Sequence, residues 1–73
     1  MTIRDKGGDE LKLGMVVFAE GRGYSEFGTI VDFDWFQLQG LIQVHFSFGW
    51  DMFRTTHLRR ATHEETVQYF LEV

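Results

Sequence analysis

Hydrophobic and polar residues alternate most regularly in the second half of the stretch from Phe27 to Phe48. There the apolar residues occupy every second position: Ile42, Val44, Phe46 and Phe48. A period of two predicts a strand with one buried face. In the first half four residues share one side: Thr29, Val31, Phe33 and Trp35. Ile30 and Phe36 interrupt that pattern, which predicts a bulge or a twist. The whole stretch therefore predicts a long hairpin whose connection runs from Asp34 to Gly40.

One further strand is predicted on each side of this hairpin. The segment from Leu11 to Ala19 becomes apolar on both sides toward its end, as expected of a strand that enters a core. The segment from Trp50 to Thr56 alternates again, with Trp50 and Met52 on one face. Glycines mark the turns between these runs, so the pattern predicts a small antiparallel β domain.

After Ala61 the hydrophobic period changes from that of a strand to that of a helix. Thr62 and Glu65 have the spacing of a capping box, the signature of a helix start. Three apolar residues follow at i, i+3 and i+4: Val67, Phe70 and Leu71. This pattern predicts a helix from Thr62 to about Leu71. Because so short a helix is not stable alone, we expect it to dock on the sheet.

The chain of 73 residues predicts one domain in three parts. Residues 1–10 form a flexible polar arm, residues 11–61 a small barrel, and residues 62–73 a C-terminal helix docked on it. A chain of this size buries only about 60% of its unfolded surface, so its core is small. It has no cysteine, so aromatic packing or a second copy must supply the remaining stability. The best core candidates are large rings on the apolar faces: Phe18, Phe33, Phe46 and Phe70.

Charge and composition narrow the functional classes. A net charge of −4 is unfavourable for wrapping a phosphate backbone. No apolar run approaches the roughly 20 residues of a membrane span, and the first residues lack the apolar core of a signal peptide. We therefore expect a cytoplasmic protein without a membrane anchor. His45, His57 and His63 fit no metal-ligand spacing, and no serine or threonine has a plausible pair of base and acid beside it in the sequence. The sequence predicts a non-enzyme without metal or cofactor.

Four short motifs make the prediction of the fold more specific. They are Leu11-x-x-Gly14-x-x-Val17, Phe27-Gly28-Thr29-Ile30-Val31, Val44-x-Phe46-x-x-Gly49 and Leu58-Arg59-Arg60-Ala61-Thr62. In this order they resemble the bacterial and phage SH3-like small barrels of the Tudor/KOW type. The resemblance implies an all-β fold, an SH3-like small barrel of four to five antiparallel strands with a short C-terminal helix. It also implies a binding module that contacts proteins or nucleic acid.

Aromatic and apolar residues in loops are the main functional signal, because twelve rings exceed what so small a core can hold. The sequence predicts that a protein partner, or a second copy, binds the following residues: Tyr24, Trp35, Phe36, Leu38 and Trp50. Three of them lie in the connection from Asp34 to Gly40, which is unusually apolar for a hairpin tip. The competing interpretations are that these rings complete the core, or that the tip curls back over one end of the barrel.

A basic cluster suggests the alternative function. Arg54, Arg59 and Arg60 lie close together in the sequence, whereas the preceding strands are acidic. A basic surface on an acidic protein is able to bind phosphates. The alternative prediction is therefore an accessory barrel that binds nucleic acid weakly through these arginines.

Overall fold

A computed structural model describes residues 2–21 and 23–72. In these residues five antiparallel strands form one sheet in the order β4-β3-β2-β1-β5. The elements in chain order are β1 (Val16–Glu20), β2 (Ser25–Asp32), α1 (Phe36–Gln39), β3 (Ile42–Phe46), β4 (Gly49–Phe53), a 3-10 turn (Thr55–His57), β5 (Leu58–Arg60) and α2 (His63–Glu72). The predicted β architecture, with four to five antiparallel strands and a short C-terminal helix, is confirmed.

The core lies on one face of this sheet. Phe53 of β4 and Leu58 of β5 belong to opposite edges of the sheet, yet both are buried in the same apolar cluster. A single sheet brings its two edges into one core only by curving around it. The other buried members come from every strand between them or precede β1: Leu11, Val17, Ala19, Ile30, Ile42, Val44 and Phe46. The alternation predicted for β3 is therefore confirmed through Phe46.

The side of β2 that the apolar pattern picks out, with Thr29 and Val31, is not its buried side. Its buried positions are Gly28 and Ile30, whereas Val31 is exposed. The register shifts between Ile30 and Asp32, so the predicted bulge is present. Because the bulge reverses the alternation and Gly28 has no side chain, the apolar pattern of the sequence did not mark the inner face.

Two strand boundaries also differ from the prediction. β1 begins at Val16 instead of Leu11, because Lys12 to Met15 form a turn closed by a Met15 N–H to Lys12 C=O bond of 3.2 Å. β4 ends at Phe53, and Thr55 starts the 3-10 turn. Trp50 and Met52 share the outer face of β4, as predicted, since they pair with His45 and Gln43.

The start of α2 is built as the sequence predicts. The Glu65 N–H donates to Thr62 Oγ1 at 3.1 Å, and the Thr62 N–H donates to Glu65 Oε1 at 2.8 Å. These two reciprocal bonds are the capping box, and α2 follows from His63. None of the described residues of α2 is buried. The apolar strip expected to face the sheet is exposed along its length: Val67, Phe70 and Leu71.

The aromatic core differs from the predicted one. Phe46 is buried as predicted, but Phe18 and Phe33 are half-buried and Phe70 is exposed. Phe18 lies on the outer face, because Val17 and Ala19 take the inner positions of β1. A further ring that was not among the core candidates, Phe53, is buried instead.

The N-terminal segment is tied to β5 through a buried carboxylate. Asp5 Oδ2 accepts the Arg60 N–H at 2.6 Å, and Asp5 Oδ1 accepts the Gly7 and Asp9 N–H groups at 2.9 Å each. The Lys6 N–H adds a 3.2 Å bond to the Leu58 carbonyl. These bonds cover the outer edge of β5. The flexibility predicted for residues 1–10 stays a prediction, but the segment is in contact with the sheet.

Burial alone would raise the pKa of Asp5, but bonds from four backbone N–H groups outweigh it and hold the pKa below its ordinary value. Replacing Asp5 by Ala leaves buried N–H groups unpaired and should cost about 1–3 kcal/mol of unfolding free energy at pH 7. Asp9→Ala removes an equal charge from the same turn and should have little effect. Urea unfolding measures both variants.

The Asp5 contribution also has a defined pH dependence. Because its folded pKa is depressed, the contribution is complete above the unfolded pKa of about 3.9 and is lost as pH falls through the folded value. The difference between wild type and Asp5→Ala should therefore shrink on acidification. Equal urea midpoints for Asp5→Ala and Asp9→Ala at pH 7 would contradict this role.

Candidate partner-binding site

The connection between β2 and β3 is a helical turn with a defined backbone. Trp35 precedes α1, and the Gln39 N–H bonds to the Trp35 carbonyl at 2.9 Å. Gly40 ends the turn in the left-handed conformation, φ 68°, and its N–H bonds to the Phe36 carbonyl at 2.7 Å. Glycine adopts this conformation without steric cost, so Gly40 both ends the helix and starts the return to β3.

This helical turn separates the three predicted apolar residues of the tip. Phe36 packs against the core and lines a small hollow with Ile3 and Phe33. Trp35 is 47% exposed and Leu38 is 79% exposed. Residues at i and i+3 of a helical turn lie on the same side, so Trp35 and Leu38 form one apolar surface. We call these two side chains the tip pair. Phe36 fixes the position of the turn that carries them.

Tyr24 belongs to a different group of rings, at the opposite end of the sheet. In a meander of antiparallel strands the β1–β2 loop and the β3–β4 turn meet at one end, and the β2–β3 connection lies at the other. The Tyr24 ring contacts Phe46, Phe48 and Phe53, with centroids 5.9, 5.7 and 6.4 Å away. The Phe46 and Phe48 rings stack at 5.0 Å. Because these rings fill the space between one another, they form a packed cluster and no open cage for a cation.

The Tyr24 hydroxyl also joins this cluster to β4. It donates a hydrogen bond of 2.8 Å to Asp51 Oδ2. Burial of the ring, followed by this bond to a carboxylate, raises the pKa of Tyr24 to about 12. The phenol therefore stays protonated at neutral pH and acts as a donor. Tyr24 ties the β1–β2 loop to β4 and does not present a free binding group.

Trp50 stands apart from both groups. It lies on the outer face of β4 opposite His45 and is 61% exposed. The structure therefore does not bring the five predicted residues together on one surface. It brings together only the tip pair, with Phe36 beneath it. Phe48, at 64% exposure in the β3–β4 turn, was not predicted as a site residue because its position in the alternation assigned it to the buried face.

Two of the three arginines of the predicted basic cluster, Arg59 and Arg60, point to opposite sides of β5. Arg59 lies on the outer face, 5.3 Å over the centroid of Phe18, which itself packs on Phe27. Its guanidinium donates two hydrogen bonds to Glu65 of α2, at 2.9 and 3.2 Å. Arg60 is the next residue of β5, so its side chain points to the other side of the strand. Arg59 is thus engaged in holding the start of α2.

The Arg59–Glu65 contact dominates the charge state of Glu65. Hydrogen bonds from the Arg59 guanidinium, and then from the Thr62 N–H, lower the pKa of Glu65 to about 2. Lys6 similarly pairs with Glu20 at the end of β1. Cations and carboxylates therefore neutralise one another along this part of the surface.

Known proteins do not identify the function of this chain, so the function is argued from the geometry described above. No protein-family model matches the chain, and neither a curated protein nor a solved structure is significantly similar to it. Among the helices described between residues 2 and 72, none is long and apolar enough to cross a membrane. In the same part of the chain no three His, Asp or Glu side chains are grouped as metal ligands.

The Arg59–Glu65 contact predicts a titration that distinguishes the two neighbouring arginines. In the wild type the Glu65 carboxylate should titrate at pH about 2. Arg59→Ala removes its main donor, so the pKa should rise toward the ordinary value of about 4.3. In the matched variant Arg60→Ala it should stay near its wild-type value. Carbon-detected NMR of the Glu65 carboxyl group follows this titration, and equal pKa values in the two variants would contradict the assignment.

Proposed function

We propose that this chain is a small non-catalytic interaction module, built as an SH3-like barrel, that binds a partner protein through the tip pair, Trp35 and Leu38. What supports the barrel type is the five-stranded antiparallel sheet curved around a single core. The motifs that resemble Tudor/KOW barrels fall on its strands and turns. The cytoplasm is the proposed location.

The observation that carries the proposal is the exposure of two large apolar side chains on an anchored turn. A hairpin tip is normally polar, and an exposed apolar pair on a small soluble domain marks an interaction site. Phe36 and the backbone bonds that end at Gly40 hold the turn in place before any partner arrives. A rigid presentation lowers the entropy cost of binding, which favours the tip as the centre of an interface.

The nucleic-acid alternative receives less support from the geometry. Arg59 and Arg60 point to opposite sides of β5, and Arg59 is already paired with Glu65. The net charge of −4 opposes the approach of a phosphate backbone. A protein partner needs no basic surface, and the tip pair offers the aromatic and aliphatic contacts that such interfaces use.

The double variant Trp35→Ser, Leu38→Ser tests this proposal. Both side chains are exposed, so the variant should keep its fold and its two-dimensional NMR spectrum outside the tip. It should lose a partner that the wild type captures from an extract of the native host by about tenfold or more, as expected when a hot spot is removed. Quantitative mass spectrometry of the captured proteins gives the ratio.

A matched control removes exposed apolar surface elsewhere. Val67→Ser, Leu71→Ser changes two exposed residues of α2 and should leave capture unchanged. Equal capture by the tip variant and the wild type would overturn the proposal. So would unfolding of the tip variant, because Trp35 and Leu38 would then be part of the core.

A further inference from the structure

The outer edge of β4 has backbone groups that point away from the sheet. The N–H and C=O of Ile30 bond toward the segment before β1, to Met15 and Gly14. Ile30 pairs with Val44, so the backbone groups of Val44 must point the other way, toward Asp51 of β4. Alternation then directs the groups of the two neighbours of Asp51, Trp50 and Met52, outward.

Only one of these outward groups has a partner among residues 2–21 and 23–72. The Met52 N–H donates to Asp51 Oδ1 at 2.7 Å. The Trp50 N–H and the carbonyls of Trp50 and Met52 have no protein hydrogen bond in the described part of the chain. The opposite edge of the sheet differs, because Asp5 and Lys6 bond to the outward groups of β5. The outward backbone groups of β5 are therefore hydrogen-bonded, whereas most of those of β4 are not, within the described residues. We call the edge formed by β4 the open edge.

A cleft of about 440 Å³ lies along this open edge. One side is lined by consecutive residues from Asp51 to Arg54, and the other by Glu20, Gly21 and His57. It runs between β4 and the end of β1, where the curved sheet does not close on itself. The row of backbone donors and acceptors beside this cleft suits an extended peptide segment.

The side chains of β4 specify the chemistry of that segment. Trp50 and Met52 lie on the outer face and favour apolar neighbours, whereas Asp51 lies between them on the other face. In an antiparallel addition the residue opposite Asp51 occupies a non-hydrogen-bonded pair, in which side chains approach most closely. A lysine or arginine at this position is complementary to the Asp51 carboxylate, whose oxygens accept the Tyr24 hydroxyl and the Met52 N–H and keep further acceptor capacity.

A second copy of β4 is a poorer occupant. Full antiparallel overlap of two β4 strands sets Asp51 directly opposite its own counterpart, and like charges in that position are destabilising. The β5 edge of a second copy is covered by Asp5 and Lys6. The edge is therefore protected against self-association and left open to a segment of the opposite charge.

We propose that the open edge of β4 binds an extended segment of a partner protein as an added antiparallel strand, with an apolar–basic–apolar sequence whose basic residue faces Asp51. This second docking surface is distinct from the tip pair and does not depend on it. On binding, the backbone carbonyl of the first apolar residue of the segment accepts the hydrogen bond of the Met52 N–H, which Asp51 Oδ1 accepts in the free protein. The second exchanges two hydrogen bonds with Trp50.

The probe is the synthetic peptide Ac-STVKVTS-NH2, titrated into the full chain and followed by amide NMR. Its lysine is placed opposite Asp51 and its two valines opposite Met52 and Trp50. We expect amide shifts concentrated from Trp50 to Arg54, and slower hydrogen exchange at Trp50. The chain with Trp35→Ser and Leu38→Ser should bind this peptide equally, which separates the result from the test of the tip.

Matched peptides identify the binding mode. N-methylation of the second valine removes an N–H aimed at the Trp50 carbonyl and should weaken binding by about tenfold, the loss expected for about 1.4 kcal/mol. N-methylation of the lysine alters an N–H that points away from β4 and should be tolerated. Replacing the lysine by glutamate should weaken binding by about two- to fivefold. Unmoved β4 amides, equal binding of the two N-methylated peptides, or equal binding of the glutamate peptide would overturn the proposal.

Discussion

The close approach of β2 and β3 at Gly28 is the contact on which the rest of the structure depends. A Cβ atom on Gly28 would lie 2.6 Å from the His45 carbonyl oxygen and 2.8 Å from both Val44 and Phe46 side-chain atoms. Val44 and Phe46 occupy the inner face because this position holds no side chain. The Phe46 ring then supports Tyr24 and Phe53, so the aromatic end of the core is built on the same contact.

Elements that are determined by residues close together in the sequence could be predicted. The alternation of β3 marked its buried face, and Thr62 with Glu65 marked the start of α2 because both bonds of the capping box lie within four residues. Elements that depend on distant contacts could not. Asp5 reads as part of a polar arm, since its partner Arg60 is 55 positions away in the chain. Gly28 has no side chain and so does not mark a face in the apolar pattern, although its role is to admit the side chains of a neighbouring strand.

The candidate site, too, could be predicted only in part. Sequence reasoning found that the connection from Asp34 to Gly40 is too apolar for an ordinary turn, and Trp35 and Leu38 are exposed there. It did not indicate that Phe36 would turn inward, because that depends on a helical turn of only four residues. The exposure of Phe70 was missed for a related reason. An apolar strip on a helix predicts that something will cover it, but the strip does not specify that the cover comes from the same chain.

The small size of the chain connects these features. Few side chains can be enclosed by a five-stranded sheet, so large apolar residues remain at the tip, on α2 and at the β3–β4 turn. Part of the surface charge is paired locally, in Arg59–Glu65 and Lys6–Glu20. The proposed interactions therefore rest on exposed apolar surface and on an open strand edge.

Urea unfolding of Gly28→Ala tests this account most directly. The added methyl group meets backbone and two core side chains, and we expect a loss of about 1–3 kcal/mol of unfolding free energy from overpacking. Gly7→Ala is the matched control, because its Cβ would meet no atom closer than 3.5 Å, and its stability should change by less than about 0.5 kcal/mol. A Gly28→Ala chain as stable as Gly7→Ala would contradict the central role of the β2–β3 contact.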